Sequence, residues 1–281
     1  MKLRKIMAFG LSTAMFLSMS VNVFADDKVE TVTDGKLTVA TSPDFAPYEF
    51  YSIDEDGTPA LAGLDIDVAQ YIADKMGLEL EIIPVDFDGV LSELAEKNVD
   101  LGISGLSPDP AREDVMDFSD LYYKGKQVFV SVKDKADQFK SLEDANNKDY
   151  TVGVQTGSID VDIANENTPD ADIISLPKAT DLVTELLTGK MDGAFMEEDV
   201  AKNYQKNYPD LEILFEAPYD GEGCAVGVSK GNEALLKAVN EAIADAQKDG
   251  SIEKFVADAN ETASGQVYEG TLDDSGAVPE E

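Results

Sequence analysis

"VDLGISGLSPDPAREDVMDFSDLYYKG" (residues 99–125) joins a short predicted strand to a loop that contains Arg112. The chain has one other arginine, Arg4, which stands in a predicted leader. The strand ends near Ser107, so Arg112 is expected beside the carboxyl edge of a sheet, where ligands bind in α/β folds. A planar guanidinium suits a bidentate grip on a carboxylate, and the segment therefore predicts a binding site.

The main alternative for Arg112 is an ordinary ion pair. The chain carries 57 acidic residues, and Glu113 and Asp117 are close neighbours in sequence. Small residues just before the arginine leave room for a ligand's oxygens to approach the backbone, which favours the binding role. These residues are Ser104, Gly105 and Ser107.

Predicted strands and helices alternate along the chain in two sets. The first set begins with KLTVATS at 36–42, and the second begins with QVFVSVK at 127–133. Strand–helix–strand order implies right-handed crossovers and mostly parallel sheets. We therefore predict two α/β lobes with a cleft between them, where ligands commonly bind. Residues 263–281 are polar and acidic, and we predict a flexible tail.

The N-terminal segment has the pattern of a secretory signal peptide. A basic start is followed by an apolar stretch with small residues, and cleavage is predicted after Ala25. Polar residues within the stretch disfavour the alternative, an uncleaved membrane anchor. A polar linker, 26–35, follows, and no cysteine stands at the cleavage point for lipid attachment. The mature protein is predicted to be periplasmic or secreted.

Composition excludes several classes of function. A formal net charge of −35 makes nucleic acid and anionic lipid poor partners. Histidine is absent and Cys224 is the one cysteine, which excludes Ser–His and Cys–His catalytic pairs and the usual zinc sites. No cofactor is expected, and the sequence assigns no role to Cys224. The chain lacks a GxxxxGK[ST] loop, so any ATP is used by another protein.

From about Lys36 to about Ala257 the chain resembles the family 3 extracellular solute-binding proteins, the amino-acid receptors of ABC importers. The resemblance rests on the order and spacing of several segments, above all the run from Asp100 to Tyr123. The segments are ATSPDFAPYEF, GLDIDVAQYIADKMG, PVDFDGVLSEL, VDLGISGLSPDPAREDVMDFSDLYYKG, VGVQTGS, LLTGKMDGAF and VGVSKGNEALLKAVNEAIADAQKDGSIEKF.

The resemblance implies a two-lobed, periplasmic-binding-protein-like fold of type II, with two mostly parallel sheets joined by two hinge strands. Lobe 1 would comprise residues 36–125 and 224–262, and lobe 2 residues 130–219. The lobes would close on a free amino acid, and the closed receptor would dock on the membrane permease of an ABC importer. A monomer without enzymatic activity is expected.

The resemblance also implies roles for single residues. Arg112 would hold the ligand's α-carboxylate, with Ser107 and the backbone around Gly105 assisting. Ser158 stands where the family usually has threonine, and would add a hydroxyl and an amide at a helix N-terminus. The alternative for Ser158 is an ordinary N-cap, and the two roles are compatible.

The ligand's ammonium needs an acid from lobe 2. The family commonly has aspartate just after DAxxx, whereas this chain reads DGAFMEED and has Glu197 in that place, with Glu198 as the alternative. Phe45 and Phe87 stand where the family places aromatic residues beside the ligand's side chain. Core packing is the alternative for both.

The resemblance leaves the amino acid open. Selectivity would depend on a few nearby residues: Ser42, Asp44, Asp86 and Glu198. Several carboxylates favour arginine or lysine, but Ser42 stands where some receptors for basic amino acids have an acid, so glutamine and cystine remain candidates. Two other functions are also open: an enzyme resembling cyclohexadienyl dehydratases, and a sensor that reports an amino acid without transporting it.

Overall fold

The computed structural model describes residues 29–53, 57–217, 219, 223–265 and 267–268. The predicted signal peptide lies outside these residues. Within them, we find no helix with the length and apolar character needed to span a membrane.

The described chain alternates strands and helices. The strands are β1 (Lys36–Thr41), β2 (Asp44–Phe45), β3 (Glu49–Ile53), β4 (Pro59–Ala62), β5 (Glu79–Pro84), β6 (Leu101–Gly102), β7 (Met116–Tyr123), β8 (Gln127–Val132), β9 (Thr151–Gln155), β10 (Asp172–Leu176), β11 (Gly193–Glu197), β12 (Leu211–Glu216), β13 (Cys224–Ser229) and β14 (Val267–Tyr268). The helices are α1 (Leu64–Met76), α2 (Phe87–Ala95), α3 (Lys133–Ala136), α4 (Asp160–Asn167), α5 (Ala179–Leu187), α6 (Glu198–Asn207), α7 (Glu233–Asp249) and α8 (Ser251–Ala263).

Two five-stranded sheets of the same plan organise these elements. The first has the order β5-β1-β6-β13-β7, and the second has the order β10-β9-β11-β8-β12. We call the first sheet with its helices lobe 1 and the second sheet with its helices lobe 2. The two-lobed α/β architecture predicted from the sequence is confirmed.

Each sheet is mixed rather than mostly parallel. In lobe 1, β1 pairs in parallel with β5 and β6, whereas β13 runs antiparallel to β6 and β7. In lobe 2, β9 pairs in parallel with β10 and β11, whereas β8 runs antiparallel to β11 and β12. Strands β8 and β13 enter from the other lobe. No βαβ crossover therefore constrains their direction, and the sequence pattern did not reveal it.

Two crossovers join the lobes. Strand β7 of lobe 1 leads into β8 of lobe 2 through residues 124–126, and β12 of lobe 2 leads back to β13 of lobe 1. The loops that follow β1 and β6 in lobe 1 reach lobe 2, where Asp44 contacts Ala179 of α5 and Arg112 contacts Gly157 after β9.

Helix ends follow the signals in the sequence. Helix α1 stops at Gly77, whose φ of 68° places it in the left-handed region that favours glycine. Gly250, with a φ of 82°, separates α7 from α8. Both stops were predicted.

A smaller sheet of β2, β3, β4 and β14 packs against lobe 1. The predicted tail begins inside the described structure, because α8 ends at Ala263 and β14 pairs with β3. The remaining tail residues, 269–281, lie outside the described residues.

A buried acid, Glu197, lies at the end of β11 beside the first crossover, residues 124–126, which we call the hinge. Its Oε2 accepts hydrogen bonds from the backbone N–H groups of Asp199 and Val200, and so caps α6. Its Oε1 lies beside Gly125 of the first crossover, where a Cβ would come within 2.9 Å of it and 3.3 Å of the Tyr48 hydroxyl. Burial, with the nearby Asp199 charge, raises the pKa of Glu197 to about 8.

This raised pKa predicts a pH-dependent stability. A carboxyl with a higher pKa in the folded than in the unfolded chain stabilises the fold below the unfolded value, about 4.3, and that contribution is lost as pH rises through about 8. Glu197→Gln keeps a capping oxygen but cannot ionise. We expect the variant to match wild type near pH 4.5 and to exceed it near pH 8.5, by on the order of 2–4 kcal/mol in the free energy of unfolding. Urea unfolding at both pH values measures this, and a constant difference between the two proteins would contradict the assignment.

Candidate functional site

Arg112 lies where the two lobes meet. It ends a short 3₁₀ helix, Pro110–Arg112, that is capped by the side chain of Asp109. Its Nη2 donates to the backbone carbonyl of Gly157 in lobe 2 at 2.8 Å, and its Nη1 donates to that of Ser107 in lobe 1 at 3.3 Å. The side chain is 11% exposed. The guanidinium therefore bridges the lobes from within the cleft.

The charge of Arg112 is only partly compensated. Its Nε lies 3.7 Å from Asp109 Oδ2, while burial lowers the pKa of the guanidinium. Other nearby acids oppose that shift from a longer range; they are Asp160 and Asp162. The ion pair considered from sequence does not involve Asp117, which pairs with Lys230 at 2.7 Å.

The loop before Arg112 is held by hydrogen bonds to two buried acids, Glu49 and Asp65. Ser104 Oγ donates to Glu49 Oε1 and accepts from the Ser42 amide. The Gly105 amide donates to Asp65 Oδ2 at 2.7 Å, and its φ of 56° suits glycine. The hydroxyl of Ser104 and the amide of Gly105 thus hold the loop in place.

The supporting acids share a desolvated environment. Burial raises the pKa of Asp65, but hydrogen bonds from Gly105 and from the Tyr122 hydroxyl favour its ionised form. Burial and the charge of Asp65 raise the pKa of Glu49 well above its usual range. These effects favour a proton on Glu49 rather than on Asp65.

Ser107 faces the second crossover. Its hydroxyl lies 3.1 Å from the hydroxyl of Tyr219, which also accepts a hydrogen bond from the Gly223 amide. Tyr219, which the sequence did not single out, therefore joins the predicted site.

Both predicted aromatic residues flank the loop that carries Arg112. The Phe87 ring centroid is 6.0 Å from the guanidinium carbon of Arg112, within cation–π range. Phe45 packs on Gly105, where a Cβ would come within 3.0 Å of its ring, and its centroid is 5.7 Å from that of Tyr48. Phe87 is buried and also belongs to a core cluster, so packing and site roles coexist there.

The Ser158 hydroxyl is engaged locally at the start of α4. It donates to the Gln155 carbonyl at 2.9 Å and accepts from the Asp160 amide at 3.2 Å. This is the capping role considered as its alternative, and it places Ser158 next to Gly157, the contact of Arg112.

The two acids considered for the ligand's ammonium differ in environment. Glu197 is buried at the hinge, 4% exposed, with Oε2 engaged in capping α6. Glu198 is half-exposed and pairs with Lys202 at 3.0 Å.

Asp44 connects the lobes. Its Oδ1 accepts from the Ser42 hydroxyl at 2.8 Å, and its Oδ2 accepts from the amide of Ala179, the first residue of α5 in lobe 2, at 2.7 Å. The Tyr204 hydroxyl of lobe 2 donates to the Asp44 carbonyl at 3.2 Å. Burial raises the pKa of Asp44 to about 6. Of the other selectivity candidates, Asp86 is exposed just before α2.

One further acid of the cleft, Asp160, was missed from sequence. As the first residue of α4, it has the pattern of a solvated acid in a helix's first turn. In the structure it is buried, which its local sequence pattern does not predict. Among the described residues, no group of histidine, cysteine or acidic side chains could hold a metal ion.

Comparison with known proteins matches the same part of the chain. Residues 37–258 match the model of the bacterial extracellular solute-binding proteins, family 3. The arginine-binding extracellular protein ArtP of Bacillus subtilis is 34% identical over 224 residues, covering 78% of this chain and 84% of ArtP.

Solved structures give the same fold. The amino acid ABC transporter substrate-binding protein AbpA of Streptococcus pneumoniae, bound to L-arginine, superposes with a TM-score of 0.78 at 35% identity, over 83% of this chain and 97% of AbpA. The ancestral amino-acid-binding protein AncCDT-1, a precursor of cyclohexadienyl dehydratase, gives 0.71 at 31% identity, over 80% and 95%. The described fold and the matched residues together show that the chain belongs to the bacterial extracellular solute-binding proteins, family 3.

Proposed function

We propose that this protein binds a polar or cationic free amino acid, with arginine as the first candidate, and delivers it outside the cytoplasm to the permease of an ABC importer. The observation that carries the proposal is the Arg112 guanidinium, buried between the lobes with both Nη atoms on neutral carbonyl oxygens.

A ligand carboxylate would improve the environment of Arg112. Carbonyl oxygens offer partial charges, whereas a carboxylate offers a full charge in the geometry of the guanidinium fork. Hydrogen bonds to charged groups contribute about 1.5–3 kcal/mol net, more than those between neutral groups. The lowered pKa of Arg112 reflects its present desolvation, which a bound anion would offset.

Closure of the lobes would couple to binding through contacts that need both lobes. The bonds of Asp44 with Ala179 and Tyr204, and of Arg112 with Gly157, exist only when the lobes approach. A ligand shifts the equilibrium toward this state only by its higher affinity for it. A ligand held by residues of both lobes meets that condition.

The proposal that the ligand's side chain is polar or cationic rests on the aromatic residues of the cleft. Phe45 and Phe87 offer ring faces that suit guanidinium or ammonium stems. The bound arginine of AbpA and the name of ArtP support arginine as the first ligand to test.

An enzyme on this scaffold is the second candidate. Glu197, with a pKa raised to about 8, is a buried acid that stays protonated at neutral pH, as a proton donor must. However, its Oε2 is occupied by the α6 cap. Incubation of the purified protein with prephenate or arogenate tests this candidate, and we expect no turnover.

Calorimetry with L-arginine, and a thermal-shift screen of the twenty amino acids and cystine, test the proposed function. We expect wild type to bind arginine, and Arg112→Ala to lose at least tenfold in affinity, because removing one partner of a buried charged pair costs about 2–5 kcal/mol. Arg112→Lys retains the positive charge but not the planar guanidinium, and its affinity for arginine should lie between those of wild type and Arg112→Ala. Circular dichroism controls for folding. Wild-type affinity in a folded Arg112→Ala protein would contradict the role of Arg112.

Asp44→Asn tests closure. The amide keeps a hydrogen-bond acceptor but loses the charge at the start of α5, which favours an anion. We expect arginine to dissociate about three- to tenfold faster, since charged hydrogen bonds exceed neutral ones by about 1 kcal/mol. Asp181→Asn is the matched control, because Asp181 is an exposed acid in the first turn of the same helix. Equal dissociation rates in wild type and both variants would contradict the closure role.

A further inference from the structure

The carboxyl of Asp160 is a buried group near Arg112 that the proposed function leaves unexplained. The residue is 6% exposed, and its Oδ1 has no hydrogen-bond partner among the described residues. A buried, unsatisfied acceptor costs about 1–3 kcal/mol, and more if it is charged. Such a group in a native structure calls for an explanation, which can be a bound water, an ion or a functional partner.

Asp160 lies close to the charge that would hold the ligand's carboxylate. It begins α4, three residues after Gly157, whose carbonyl accepts from Arg112 at 2.8 Å. The Arg112 charge acts on Asp160, and Asp160 acts in turn on Tyr219 of the second crossover. The carboxyl thus lies within electrostatic range of Arg112 from lobe 1 and of Tyr219 from the second crossover, and beside Ser158 of its own lobe.

Arg112 nevertheless does not neutralise Asp160. The guanidinium donates to the carbonyls of Ser107 and Gly157, and its ion pair within 4.0 Å is with Asp109. The guanidinium and the Asp160 carboxyl, whose pKa burial raises to about 7, are therefore close enough to interact but are not joined by a salt bridge. A zwitterion, or any ligand with a carboxylate and a cationic nitrogen, could connect them.

We infer that Asp160 is the anion that pairs with a cationic nitrogen of the bound amino acid, opposite the carboxylate held by Arg112. This inference rests on the proposed function and adds a residue to it. Arginine has two groups with the required charge, the α-ammonium and the side-chain guanidinium, and both can donate hydrogen bonds to a carboxylate.

The other acids considered for the ligand are less available for this pairing. Glu197 Oε1 also lacks a hydrogen-bond partner among the described residues, but it lies against Gly125 and the Tyr48 hydroxyl, and Glu197 Oε2 caps α6. Glu198 pairs with Lys202 near the surface. Asp44 has both carboxylate oxygens engaged by Ser42 and Ala179.

A ligand–mutant cycle tests the pairing. Calorimetry would measure L-arginine, 5-guanidinopentanoate, which lacks the α-ammonium, and L-citrulline, whose side chain is neutral, against wild type, Asp160→Asn and Glu197→Gln. Asn is nearly isosteric with Asp, and thermal melts control for folding. Paired groups give non-additive effects, whereas independent groups give additive ones.

We expect Asp160→Asn to weaken arginine binding at least tenfold. The same substitution should weaken one of the two analogues less than threefold, because that analogue already lacks the partner of Asp160. Loss of the effect with 5-guanidinopentanoate identifies the α-ammonium, and loss of it with citrulline identifies the side chain. Glu197→Gln should affect arginine and that analogue by equal factors.

Two results would overturn the inference while leaving the proposed function intact. One is wild-type binding of arginine by Asp160→Asn, and the other is an equal loss for all three ligands. If wild type binds no amino acid at all, the proposed function itself fails, and the inference fails with it.

Discussion

The hydrogen bond from Arg112 to the Gly157 carbonyl is the contact on which the account of the cleft depends. It joins a loop of lobe 1 to the start of α4 in lobe 2, and its donor is a cation with little solvent around it. A buried charge is tolerated only with good partners, and carbonyl oxygens are weaker partners than a carboxylate. The closed arrangement is therefore competent to receive an anion.

The position of Arg112 is secured by a layer of acids that does not face the cleft. Asp65 accepts from the Gly105 amide and Glu49 accepts from the Ser104 hydroxyl, and these bonds fix the loop that leads to Arg112. Buried polar networks of this kind restrict the loop to one arrangement, although Glu49 Oε2 has no hydrogen-bond partner among the described residues. Some of the many acidic residues of this chain therefore have a structural role inside lobe 1 rather than a place on the surface.

Sequence reasoning identified the elements better than their long-range partners. Helix stops at Gly77 and Gly250 follow from local backbone preferences, and Arg112 at the edge of a sheet follows from the strand that precedes it. The sequence did not predict that β8 and β13 each run antiparallel to their neighbours in their own sheets. Their direction depends on the lobe from which each strand enters. Asp160, Tyr219 and the interlobe bond of Asp44 were missed or misjudged for the same reason, since their contacts join segments far apart in the chain.

The central claim is that the guanidinium of Arg112 contacts the ligand, and the composition makes it directly observable. A protein that starts at Asp26 contains a single arginine, so its ¹⁵N-labelled guanidinium gives one set of side-chain NMR signals. Titration with unlabelled L-arginine should shift the Nε and Nη signals of Arg112 and slow the rotation of the guanidinium. Binding of arginine, verified by calorimetry on the same sample, without any change in these signals would contradict the account.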